Sequence, residues 1–302
     1  MTEPKVDIIT VNWNGWKDTI ECLESLTKLD YANFSVIVCD NGSQDDSVEQ
    51  LTNWLDTNSK IQVQLIETKK NLGFAGGNNI GIKQALKAGC DYIWLLNNDT
   101  VVDKDALKSM VSYAQEHHNT ICGSKLMYYD TPSKVQALGN KLNTYLGTTK
   151  FIVEEKEMNQ IDYLVGASML IPQQVFKDVG LLSEEYFLYY EEADLWQKCK
   201  GKYDFRCVLN SLVYHKEGAA IGANNKQKAE KSLIGDFYSI RNRILFMKKY
   251  FSSHMLTMYI GLIVTIINRI LRGQSERVGM VLRLIFNYNM TFEEYLSKYC
   301  SN

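Results

Sequence analysis

Three times in the first hundred residues an apolar run stops abruptly at a cluster of Asn, Asp and Gly. Val6–Val11 stops at Asn12–Gly15, Phe34–Cys39 at Asp40–Ser43, and Tyr92–Leu96 at Asn97–Asp99. Short apolar runs bounded by such polar signals read as buried strands ending in loops. Between them lie amphipathic stretches. Ile20, Leu23, Leu26 and Leu29 share one face of a helix expected over Asp18–Leu29, and Val48, Leu51, Trp54 and Leu55 share another. A further strand is expected over Ile61–Ile66, a glycine-rich loop over Asn71–Gly77, and a helix over Ile80–Ala88. Regular strand–helix alternation implies parallel strands joined by crossover helices, an α/β layer fold. Ligands of such sheets sit outside the carboxyl ends of the strands, so the three polar clusters point to one shared site.

The middle of the chain, 120–165, is less regular, and Glu154–Glu157 reads as a solvated loop. A strand over Val165–Ile171 and a helix over Gln173–Val179 follow, and beyond about residue 225 the pattern is wholly helical. The expected division is therefore a domain of 1–225 and a helical region of 226–302.

With 45% hydrophobic residues the chain can bury a substantial core, and a formal charge of −2 excludes the basic excess typical of nucleic-acid binders. The 7 cysteines show neither a C-x-x-C pair nor zinc-type spacing, and read as free thiols of a reducing compartment. Because the N-terminus shows no secretory signal, a cytoplasmic location is expected. Charge is uneven. From residue 241 onward nine Lys/Arg face three Glu, which leaves +6 there and −8 elsewhere. The same region contains Phe251–Asn268, free of Asp, Glu, Lys and Arg, with a solid apolar part of only Met255–Ile267. A bilayer span takes about 20 apolar residues, so an in-plane helix on an anionic membrane surface fits better. A buried helix or a homodimer interface through the C-terminal helices is the alternative.

Leu95–Thr100 carries Asn97, Asn98 and Asp99 to a strand end, where a carboxylate and amide oxygens could hold Mg²⁺ or Mn²⁺ together with substrate phosphates; Asn-Asp pairs also favour plain turns. Asp40 could accept from a base imide or a ribose hydroxyl, or help cap the next helix. The glycines at 73, 76, 77 and 81 match neither G-x-G-x-x-G nor a P-loop, yet they let backbone approach a ligand. Glu191, Glu192 and Asp194 crowd carboxylates beside aromatics, which prepares a general base or complements a helix dipole. His215 closes an apolar run as a structural residue or a metal ligand.

In colinear order, VNWNG (11–15), VCDNGSQDDS (38–47), NLGFAGGNN (71–79), LLNNDTVVD (95–103), the 165–195 stretch, HKEGAAIG (215–222) and YSIRNRILFMKKY (238–250) resemble family 2 glycosyltransferases of GT-A fold, most closely a bacterial rhamnosyltransferase-like branch. The resemblance implies a Rossmann-like sheet flanked by helices. It also implies a metal-dependent inverting transfer of sugar from a nucleotide-diphosphate donor, with dTDP-L-rhamnose favoured over a UDP-hexose, to a glycan or lipid-linked glycan. Asp40 matches the base-reading carboxylate, with Val11, Asn12, Asn14, Asn41, Asn71, Gly73, Gly76 and Asn78 around the donor. Asn97-Asn98-Asp99 matches the family's D-x-D, with Asn in first place, and His215 its metal or diphosphate histidine. Glu192 takes the place of the catalytic base, with Glu191 and Asp194 as supporting acids. A sugar-nucleotide pyrophosphorylase would need a glycine- and arginine-bearing loop after the first strand, and VNWNGW is not one. A non-catalytic nucleotide-sugar binder is the remaining alternative.

Overall fold

The computed structural model describes residues 3–216 and 232–300. Its elements follow the alternation in the sequence. β1 (Val6–Asn12), β2 (Phe34–Asp40), β3 (Val63–Glu67) and β4 (Tyr92–Leu96) are interleaved with helices α1 (Trp16–Leu26), α2 (Ser47–Thr57) and α3 (Gly73–Ala88). Then come β5 (Thr100–Val102), α4 (Ala106–Glu116), β6 (Thr120–Tyr128), β7 (Thr131–Ala137), β8 (Gly139–Leu142) and β9 (Thr149–Ile152). β10 (Ser168–Pro172), α5 (Gln173–Val179), α6 (Glu191–Cys199) and β11 (Asp204–His215) complete this part.

The main sheet runs β3-β2-β1-β4-β10-β6-β11-β5, with β7 paired to β6. β1 to β4 are mutually parallel along this path, β10 runs antiparallel to both of its neighbours, and β11 is parallel to β6. The mixed α/β sheet flanked by helices is the architecture expected. Its apolar faces form the core: Ile8, Val36, Val38 and Trp94 pack with Leu23 and Leu26 of α1 and with Leu107 and Met110 of α4. All seven cysteines are free and six are buried.

Several boundaries differ from expectation, each for a local reason. α1 ends at Leu26 because Lys28 and Leu29 turn back with tight bonds to Ser25 and Leu26. The expected glycine-rich loop is helix from Gly73 onward. Its glycines serve packing on the sheet, since a Cβ at Gly77 would stand 2.8 Å from Val11 and one at Gly81 2.6 Å from Ile9. Glu155–Gln160 forms a 3-10 turn rather than an open loop. The strand expected from Val165 begins at Ser168, because Gly166 and Ala167 are engaged at the site described below.

The chain forms two compact units. The first contains residues up to Lys141, Phe151–Phe187 and Glu191–Ala220, and the second Leu142–Lys150, Leu188–Tyr190 and the remainder. The boundary expected at 225/226, and Glu217–Gly222 of the HKEGAAIG stretch, lie outside the described residues. The second unit contributes α7 (Leu233–Tyr250), α8 (Met255–Leu271), α9 (Ser275–Phe286) and α10 (Phe292–Tyr299). Asp236 of α7 receives Arg269 of α8 at 2.6 Å and Arg277 of α9 at 2.9 Å, tying three helices together. α8 buries Met258, Leu262 and Arg269 but exposes Leu256, Ile260, Ile263, Val264, Ile267, Ile270 and Leu271. Those positions recur at helical spacing and form one continuous apolar stripe. Helical structure extends over Ser252–Leu271, long and apolar enough to cross a membrane, so the stretch is longer than its solid apolar part suggested.

Candidate active site

The parallel register sets Asn12 beside Asp40 at the carboxyl ends of β1 and β2. Asn12 donates from Nδ2 to Asp40 Oδ1 at 2.7 Å, and Ser43 adds its hydroxyl at 2.6 Å and its backbone N–H, to Oδ2, at 3.0 Å. Asp40 therefore sits buried and held as an acceptor rather than as a helix cap. Asn14, exposed and with φ of 51°, takes the Ser43 hydroxyl on its N–H and accepts from Gln44 N–H on its side chain. Val11 packs behind it against Gly77.

A hydrogen-bonded chain leads from Asp40 to the next strand tip. Asn12 Oδ1 is bonded to the Thr19 hydroxyl at 2.8 Å, and that hydroxyl to Asn98 Nδ2 at 3.0 Å. Asn98 is thus occupied inward, beneath the turn. Asn97 fixes the other side, its N–H donating to Ala167 O at 3.0 Å. The neighbouring residue, Gly166, donates its N–H to Glu192 Oε1 at 3.1 Å. Asp40 is thereby tied by hydrogen bonds to Asn98 of the 97–99 turn, and Glu192 to the backbone next to the residue that turn pairs with.

Asp99 is 5% exposed, and its Oδ1 has no hydrogen bond. His215 Nε2 lies 3.2 Å from that atom, positioned by the pairing of β5 with β11, which sets His215 against Thr100. His215 Nδ1 meets Gln136 Oε1 at 2.8 Å, a bond that orients the ring and leaves Nε2 toward Asp99. Burial opposes ionisation of Asp99, but the charge of the adjacent His215, with Lys216 further off, holds its carboxyl below the ordinary value. A buried carboxylate oxygen and an imidazole nitrogen aimed at one point fit a divalent cation. Among the described residues no group of three His, Cys, Asp or Glu assembles. The protein's own ligands would be Asp99 and His215, with diphosphate oxygens and water completing the shell.

Glu191 and Glu192 open α6. Burial, then the neighbouring charges of Glu192 and Asp194, push the Glu191 carboxyl well up, and its Oε2 has no hydrogen bond. Burial also raises Glu192, against the pull of its own backbone N–H and that of Gly166. Raised, desolvated carboxyls suit proton abstraction near neutral pH. Asp194, fully buried, is paired with Lys198 at 2.9 Å on the next turn of the helix.

Other expected donor residues serve the scaffold. Asn41 donates to Asn71 Oδ1 and to Gly73 O, both at 3.0 Å, and Asn71 accepts from Gly73 N–H at 2.8 Å. Gly73 has φ of 74° and presses on Phe187, whose carbonyl accepts from Phe74 N–H at 2.8 Å. Gly76 packs on Leu72, and Asn78 donates to Phe74 O, both within helix α3. Four residues went unrecognised in the sequence. Thr19 and Gly166 complete the network, Gln136 orients His215, and Lys216 joins Asp18 and Glu21 at 2.5 Å each. Gly166 alone carried a signal, as a glycine opening a strand-like run.

Residues 7–180 match the glycosyl transferase family 2. The low-salt glycan biosynthesis hexosyltransferase Agl10 of Haloferax volcanii is 23% identical over 202 residues, covering 65% of this chain and 61% of that protein. The chain thus spans less than two thirds of that relative. The dTDP-rhamnosyl transferase RfbF of Shigella flexneri is 22% identical over 236 residues, 74% of each chain. In solved structures, the mannosyltransferase PcManGT of Pyrobaculum calidifontis, in complex with GDP-Man and Mn²⁺, superposes with a TM-score of 0.61 at 11% identity, covering 99% of this chain and 89% of that one.

Proposed function

Because the chain belongs to glycosyl transferase family 2, we propose that it moves a sugar from a nucleotide-diphosphate donor to a hydroxyl of a glycan or lipid-linked glycan, with inversion at the anomeric carbon. The observation that supports this reading is the pair of hydrogen-bonded tethers, from Asp40 to Asn98 and from Glu192 to Gly166, that meet through the backbone on either side of the Asn97–Ala167 bond, with Asp99 next in the chain to Asn98. On this reading Asp40 would read the nucleoside, and Asp99 with His215 would hold the cation and diphosphate. Glu192 takes the proton of the acceptor hydroxyl, whose oxygen attacks the anomeric carbon as the nucleoside diphosphate departs from the opposite face. General-base help of this kind contributes about 10²–10⁴-fold, and positioning and charge stabilisation supply the rest. A bound Mg²⁺ or Mn²⁺ would offset the negative charge that grows on the leaving diphosphate.

dTDP-L-rhamnose is the favoured donor, supported by likeness to RfbF; a UDP-hexose would present the same imide edge to Asp40. The test is release of nucleoside diphosphate from each donor, with Mn²⁺ and with EDTA, in the presence of a glycan acceptor. Metal-dependent release from dTDP-rhamnose is expected. Tight binding of the donors without any release would favour the non-catalytic binder.

The exposed stripe of α8 supports a place for the second unit on an anionic membrane surface. One flank of the helix is already fixed to protein through Met258, Leu262 and the Arg269–Asp236 pair, which suits a helix lying in the interface. Exposed Lys248, Lys249 and Arg272 flank its ends and would meet anionic headgroups. Such a seat fits a cytoplasmic enzyme working on lipid-linked glycans.

A further inference from the structure

The stretch YSIRNRILFMKKY, distinctive in the sequence, has no part in the chemistry above, yet its Asn242 grips the chain just before the candidate base. Tyr189 and Tyr190 have φ of 68° and 76°, a left-handed backbone that non-glycine side chains rarely hold, and two in succession hold it only when their surroundings impose it. They are the last residues before Glu191 opens α6. Asn242 of α7 is 0% exposed and gives its side-chain N–H groups to Leu188 O at 2.7 Å and Tyr189 O at 3.1 Å. Its Oδ1 accepts from Arg241 Nη1 at 2.7 Å, which fixes the orientation of the amide. Tyr190 is anchored separately: its hydroxyl donates to Gly147 O at 2.7 Å and its ring lies 5.4 Å from that of Phe246. These contacts all lie within the second unit, and the peptide bond from Tyr190 carries their effect to Glu191 and Glu192.

We propose that Asn242 is a positioning residue for transfer: by donating to the carbonyls of Leu188 and Tyr189 it holds the tyrosine pair in its left-handed form and so sets where α6 begins and where Glu192 stands. Backbone strain of this sort concentrates where a fold must place a functional group. The inference rests on Glu192 acting as the base, but the hold on the tyrosine pair can be measured without activity.

The experiment compares wild type, Asn242→Ala, and Asn242→Ala with Tyr189→Gly, in the full chain. Alanine offers no donor to the two carbonyls. Glycine at 189 adopts positive φ without strain and so lessens the dependence on the amide, while Tyr190 keeps its own anchors. The expected result for Asn242→Ala is a fall in kcat of about 100-fold, the scale of a base displaced by an ångström. The donor KM should stay within about twofold, as befits a group acting on the reacting centre alone. Adding Tyr189→Gly should restore kcat by about tenfold, and peptides covering 188–199 should exchange amide hydrogens faster in the single variant than in the double. If the single variant does not fold, the double variant must fold and turn over, and its failure to do so overturns the proposal. Unchanged kcat, absence of rescue by glycine, or exchange over 188–199 equal to wild type likewise overturns it. A wild-type chain that transfers no sugar from any nucleotide donor would sink the functional reading instead, while the exchange measurement would still decide the role of Asn242.

Discussion

Glu192 accepts a hydrogen bond from the backbone N–H of Gly166, and a Cβ at position 166 would stand 2.5 Å from that same carboxylate oxygen. The backbone of one residue both docks the carboxylate and leaves it room. The obstructed atom is the free end of a flexible side chain, so Gly166→Ala should fold, with Glu192 swung off its donor. A shift of that order costs about 10²-fold in kcat. Steady-state kinetics beside a melting curve tests this: turnover should fall while the melting temperature moves little.

Glu192→Gln should remove the base and keep donor binding, lowering kcat by about 10²–10⁴-fold. In the wild type the base works only when ionised. Burial raises its pKa, so the acid limb of the kcat profile should fall off above the ordinary glutamate range of about 4.3. A profile flat down to that value would remove Glu192 from the role.

Glu191 makes a separate statement about stability. Burial, reinforced by Glu192 and Asp194, raises its folded-state pKa well above the ordinary value. Between those two pKa values the folded chain binds a proton that the unfolded chain has lost, so stability falls as pH rises through that window. Glu191→Gln should therefore stabilise above the window and change little at pH 4. The glutamine removes the cost of holding a buried charge above that window, so the gain is read as a higher melting temperature at pH 8 than the wild type shows. Thermal melts at pH 4 and pH 8 check the sign.

For the cation, Asp99→Asn and His215→Ala should each reduce the melting-temperature rise that Mn²⁺ and nucleoside diphosphate together give the wild type. Asp99→Asn should act more strongly, because it removes the charge and leaves an amide beside the imidazole. A rise as large as the wild-type one in Asp99→Asn would place the metal elsewhere.

On the membrane question, Ile263→Asp and Ile267→Asp put charges into the exposed stripe without touching Met258 or Leu262 inside. Wild type should float with vesicles containing anionic phospholipid and detach as salt rises, and each variant should float less. Wild type that stays in solution while forming a concentration-dependent dimer, lost in both variants, would assign the stripe to a second copy of the chain.

Much of this architecture was readable because it rests on local pattern. β4 lies where the apolar run Tyr92–Leu96 placed it and α5 where Gln173–Val179 did, and Asp40, Asp99 and Glu192 all stood at the ends or beginnings of readable elements. What escaped was set by partners distant in sequence. A glycine run looks like a loop until Ile9 and Val11 are known to need the space its missing side chains leave. Thr19 is an ordinary helix residue until it meets Asn12 and Asn98, and Gln136 is unremarkable until His215, 79 residues away, needs an acceptor.

The relay from Asn98 through Thr19 and Asn12 to Asp40 also has a direction. Each amide gives a proton forward and the single hydroxyl proton passes on to Asn12, so every dipole points at the one anion that ends the row. A neutral side chain at position 40 that needed to donate would face an N–H aimed at it, and relieving that clash would mean reversing all three members together. If Asp40 reads the donor's base as proposed, that preference resists drift by single replacements, and a new nucleotide would be reached more readily through the exposed Asn14 edge than through this buried file.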